Sequence, residues 1–73
     1  MTQAETKQTI TVHLEPEMKT ILIKRPKTVM QLLQVLNLSL ESALVARNGK
    51  LLTYDRRIWP GDELLVRVVM SSG

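Results

Sequence analysis

One short apolar stripe constrains this chain more than any other feature of it. Val29, Leu32, Leu33 and Leu36 recur at helical spacing, which puts them on one face of an amphipathic helix. The other apolar runs are patterned as strands, so the stripe has no second helix to meet and must cover one face of a sheet. Thr28-Val29-Met30-Gln31 has the capping-box form, with Thr28 as N-cap and Gln31 reaching back. Pro26 disfavours helix at Arg25 and Asn37 is a stop signal. One helix of about three turns is predicted.

The strands flank it. Thr9 to Leu14 alternates polar with apolar, turning Ile10, Val12 and Leu14 inward. Glu15-Pro16-Glu17 interrupts, and Lys19 to Lys24 supplies Thr20, Ile21, Leu22 and Ile23, the second half of a hairpin. A second hairpin joins Ala43–Arg47 to Leu51–Tyr54 through Asn48-Gly49, a pair that tolerates positive φ. Pro60-Gly61-Asp62 is a further turn. From Glu63 to Met70 the last strand sets Leu64, Val66 and Val68 on one face against Leu65, Arg67 and Val69 on the other. The order strand, strand, helix, strand, strand or turn, strand matches an α+β β-grasp: a mixed sheet of four to five strands with one helix packed across one face. In such a sheet the last strand lies centrally, parallel to the first, which accounts for its two apolar faces.

Size and composition narrow the function. A chain of 73 residues makes one domain, burying about 60% of its unfolded surface. It has no cysteine, so neither a disulfide nor a thiol nucleophile is available. Aromatics are 3% against 44% apolar residues, so the core must be aliphatic. The net charge of +3 permits a nucleic-acid partner without demanding one. Met1 to Lys7 is polar, with no signal peptide or membrane span in it, and a cytoplasmic location is the expectation. Residues 1–8 read as a disordered tail, 9–70 as the domain and 71–73 as a flexible tail.

Val45-Ala46-Arg47-Asn48-Gly49-Lys50-Leu51, then Pro60-Gly61-Asp62-Glu63-Leu64-Leu65-Val66, then Arg67-Val68-Val69-Met70-Ser71-Ser72-Gly73 together resemble the sulfur-carrier family of ThiS and MoaD, which are ubiquitin-like β-grasp domains. The resemblance spans Thr9 to Gly73. It implies that the Gly73 carboxylate is adenylated in trans and becomes a thiocarboxylate, serving thiamine, molybdopterin or thiolated-tRNA synthesis. It implies no bound cofactor, the ATP being used by an adenylating partner of the ubiquitin-activating type, and a second partner in a sulfur-accepting synthase. A terminal glycine suits a chain that must thread a narrow channel. The family ends Gly-Gly, whereas this chain has Ser72 before Gly73. By the same resemblance Leu65, Arg67 and Val69 dock the activating partner, with Ser71 and Ser72 inserted alongside Gly73. A homodimer is another way to cover that face.

The remaining chemistry-bearing residues are few. His13 reads as a solvated strand residue without co-ligands for a metal, and Glu41, Asp55, Asp62 and Glu63 form no acid pair, so the chain is expected not to be an enzyme. Trp59 either covers the core edge or anchors a partner. Two other readings stay open. In one, Arg47, Lys50, Arg56 and Arg57 contact RNA phosphates in a small RNA-binding domain, although two opening strands and few aromatics argue against it. In the other, Ser72 marks a non-catalytic β-grasp adaptor or regulatory subunit that has lost carrier chemistry.

Overall fold

The computed structural model describes residues 8–69. Its elements are β1 (Thr9–Glu15), β2 (Lys19–Lys24), α1 (Val29–Val35), β3 (Ala43–Arg47), β4 (Lys50–Leu51) and β5 (Glu63–Val68). They build one five-stranded mixed sheet in the order β2-β1-β5-β3-β4. β1 and β5 run parallel in the middle, and the other neighbours are antiparallel. The α+β class, the single helix and the central last strand follow the sequence expectation.

Period-two alternation delivers the core. Ile10 and Val12 of β1, Ala43 and Val45 of β3, and Leu64 and Val66 of β5 are buried against Val29, Leu32 and Leu33 of α1. Each Ile, Val or Leu side chain so buried contributes about 1.5–3 kcal/mol relative to exposure. The core is wholly aliphatic. Its one member outside the helix and strands is Ile58, 0% exposed, which no periodic pattern marks.

The helix is shorter than expected, at seven residues. Asn37 adopts φ 62, and its N–H donates to Gln34 O at 3.0 Å while Leu38 N–H donates to Leu33 O at 2.8 Å. This is the Schellman pattern, which ends the helix at Leu36 and satisfies its last carbonyls. At the other end the Thr28 hydroxyl accepts from Gln31 N–H at 3.3 Å, but Gln31 Oε1 reaches one residue beyond the cap, accepting from Lys27 N–H at 2.9 Å.

Two strands also stop early. After Leu52 N–H donates to Val45 O at 2.8 Å the chain leaves the sheet, because the carbonyls of Tyr54 and Arg56 accept from Met30 N–H at 2.9 Å and Val29 N–H at 3.1 Å. First-turn helix donors have no partner within the helix, and here Tyr54, the last residue expected in β4, and Arg56 just beyond it supply the acceptors. β5 ends at Val68, and Val69 N–H turns to Ser42 O at 2.9 Å. Met70, included in the expected strand, lies outside the described residues.

The turns follow their residues. Asn48 (φ 56) and Gly49 (φ 80) both sit at positive φ, as a type I′ hairpin turn requires. Trp59-Pro60-Gly61-Asp62 closes with Asp62 N–H donating to Trp59 O at 3.1 Å, and Gly61 at φ 83 makes it type II. A Cβ on Gly61 would meet nothing within 4 Å, so substitution strains only the backbone. Gly61→Ala is expected to lower stability by about 1–2 kcal/mol, read as a shift of the urea midpoint at unchanged m.

Candidate functional site

Among the described residues no helix lies on the sheet face opposite α1. The register puts His13 beside Leu65, Glu15 beside Arg67, Leu44 beside Arg67 and Ala46 beside Leu65. Leu65 is half-buried, Arg67 exposed and Val69 50% exposed. Two of the sequence-selected docking residues, Leu65 and Arg67, thus share this open face, and Val69 follows just past the strand. Ser71, Ser72 and Gly73 lie outside the described residues, as do residues 1–7 of the expected amino-terminal tail. Leu22 and Leu51, also well exposed, extend the open face toward its two edges.

His13 at the centre of this face is not simply solvated. Its Nε2 lies 2.6 Å from Glu63 Oε2 and its Nδ1 lies 3.0 Å from Thr20 Oγ1. With Nε2–H donating to the carboxylate, Nδ1 of a neutral ring accepts the threonine hydroxyl proton. The three side chains tie β2, β1 and β5 across the face. The sequence hides this because Glu63 comes 50 positions after His13 and is brought there only by the parallel β1–β5 pairing.

Around the Gly61 turn, Asp62 accepts twice through Oδ2, from Arg47 Nη1 at 2.7 Å and from Trp59 N–H at 2.9 Å. Only 20% of the Arg47 side chain and 18% of the Asp62 side chain are exposed. Arg47 is therefore engaged within the fold, unlike Lys50, Arg56 and Arg57, which are exposed. Trp59 is 53% exposed, with the Arg57 guanidinium carbon 5.0 Å from its ring centroid, a cation–π distance. Its neighbour Ile58, and not Trp59, is the side chain of this segment that enters the core.

The Asp55 carboxyl is held below the usual carboxylate range, first by the Thr53 hydroxyl donating at 2.6 Å and next by a backbone N–H, with the Arg56 charge adding. A shallow apolar groove of about 280 Å3 runs between α1 and the β3–β4 hairpin, bordered by Leu40, Leu44, Leu51 and Tyr54. Among the described residues no three His, Asp or Glu side chains converge as metal ligands, and no helix is long and apolar enough to cross a membrane. Compared with known proteins, the chain matches no family model and no curated protein.

Proposed function

We propose that this chain is a ubiquitin-like β-grasp sulfur carrier that works through the carboxylate of Gly73. The observation that carries the reading is the position of β5. It lies centrally, parallel to β1 in the order β2-β1-β5-β3-β4, an arrangement compatible with a β-grasp. It sets Leu65 and Arg67 on the uncovered face, and Val69 hands the chain on from the end of that strand.

The chemistry asked of Gly73 is modest. A carboxylate is a poor electrophile, so a partner first joins it to AMP, with pyrophosphate leaving ATP. Sulfide then displaces AMP, giving the thiocarboxylate and releasing a proton. The open face would hold the activating enzyme while the tail enters its ATP site. Ser72 favours one other reading, a β-grasp adaptor without carrier chemistry, because its Cβ and hydroxyl sit where the family presents bare backbone.

Incubation with an adenylating enzyme of the ubiquitin-activating type, ATP and sulfide, followed by intact mass measurement, tests the proposal. The expected result is a gain equal to one oxygen exchanged for sulfur, abolished by deletion of Gly73. No adenylate and no gain would leave the adaptor reading in its place.

A further inference from the structure

Strand directions sort the charges of this chain to its two ends. β1 and β5 point toward the end from which the segment after Val69 continues, and β2 and β3 point away from it. The opposite pole therefore gathers the end of β2, the β3–β4 turn, the start of α1 and residues 53–59. Lys24, Arg25, Lys27, Arg47, Lys50, Arg56 and Arg57 all fall there, seven of the ten Lys and Arg of the chain. Among the described residues three acids accompany them: Asp62 is paired to Arg47, Glu63 contacts His13, and Asp55 stands beside Arg56.

The pole is built, not merely accumulated. Segment 53–59 is laid along 27–30 by Ile58 N–H donating to Lys27 O at 2.9 Å, in addition to the two bonds from the helix start. Arg25 Nη1 donates to Ile58 O at 3.1 Å. The frame leaves Lys24, Lys27, Arg56 and Arg57 exposed.

A second, independent observation points to the ligand. The aromatics, few enough in the sequence to argue against RNA, are one Trp and one Tyr, but the fold brings both to this pole, and Trp59 (53% exposed) and Tyr54 (55% exposed) stand out of a core that uses aliphatic residues alone. An acidic protein surface would need only the cations. Exposed π faces among cations fit a ligand with both phosphates and flat bases, since bases stack on aromatic side chains while Lys and Arg follow the backbone. We infer that this pole binds single-stranded nucleic acid, with Lys24, Lys27, Arg56 and Arg57 on phosphates and Trp59 stacked on a base.

Trp59 is the only tryptophan, so its fluorescence reads the stacking directly. The full chain is titrated into a labelled oligouridylate of about a dozen nucleotides, following anisotropy and tryptophan emission from about 50 to about 200 mM salt. Four phosphate contacts at about −0.7 each predict a log–log salt slope near −3, with Trp59 quenched at saturation. Replacing Arg56 and Arg57 together with alanine should weaken binding roughly tenfold or more and bring the slope toward about −1.5. Trp59→Ala should weaken it about fivefold or more, whereas Lys19→Ala at the other end should leave it unchanged. The altered side chains are exposed, and far-UV circular dichroism verifies that each variant folds. Absence of saturable binding at low salt would overturn the inference. So would a polyglutamate peptide competing as strongly as the oligonucleotide while Trp59 stays unquenched, which would assign the pole to acidic proteins.

Discussion

Truncation of Ile58 to alanine is expected to cost about 3–4 kcal/mol, within the usual range for a buried Ile. Ile58 is 0% exposed and joins Leu32, Leu64 and the other aliphatic side chains of the core, so its loss leaves a cavity between packed neighbours. A core in a domain of this size supplies about 3–5 kcal/mol of net stability, and the variant should sit near the edge of folding at room temperature. Ile58→Val removes one methyl group and should cost about 0.5–1.5 kcal/mol. Leu51→Ala, at a site 67% exposed, should change stability by less than about 0.5 kcal/mol. Urea unfolding of the three variants measures these differences. An Ile58→Ala cost close to that of Leu51→Ala would show that segment 53–59 is not pinned to the core. The backbone makes a second reading available: Ile58 N–H donates to Lys27 O, so its amide should exchange faster in Ile58→Ala than the amides of β1 and β5.

Ile58 also marks where the sequence stops being legible. The strands and helix could be read because their apolar residues repeat, at two for Ile10 and Val12 and at three to four for Val29, Leu32 and Leu33. Ile58 stands between Arg57 and Trp59 in a segment with no period, and its burial follows from where the loop is tied rather than from local pattern. The same cause shortened β4, whose expected last residue, Tyr54, gives its carbonyl to the helix start. Of the candidate site, Leu65 and Arg67 were legible from alternation along β5. The His13–Glu63 contact and the Arg47–Asp62 pair were not, since each depends on strands brought together from distant parts of the chain.

The separation of the two ends is also a consequence of topology. Arg56 and Arg57 are adjacent in sequence, but Lys24 and Lys27 join them only because β2 runs antiparallel to β1 and α1 begins where β2 ends. Glu15, Glu17 and Glu41 fall toward the other end, with Lys19 and Arg67. A modest net charge of +3 therefore conceals an uneven distribution, the described residues being basic at one pole and slightly acidic at the other. Association with a polyanion depends on the local field rather than on the net value.

Asp62→Ala is expected to cost about 2–3 kcal/mol, because one carboxylate oxygen serves two donors. Trp59 N–H, at 2.9 Å, loses its acceptor, Arg47 Nη1, at 2.7 Å, keeps only the Arg57 carbonyl at 3.4 Å, and the Arg47 side chain, four-fifths buried, is left without its counter-charge. Removing one partner of an enclosed pair costs more than the pair contributes, because the surviving group keeps its desolvation penalty. Arg47→Met likewise leaves Asp62, 18% exposed, without its counter-charge, but should be milder, at about 1–2 kcal/mol, since the methionine packs in place of the stem while Asp62 still accepts from Trp59 N–H. Asp62→Asn keeps a side-chain oxygen for that N–H and loses only the charge, so it should fall between the two. A double-mutant cycle between Arg47 and Asp62, followed by urea denaturation, should return a coupling of about 1–2 kcal/mol. The coupling should change little as salt is raised, because screening acts weakly on an enclosed pair. A coupling near zero, or one that salt abolishes, would mean that Gly61 and Pro60 hold the turn without the ion pair.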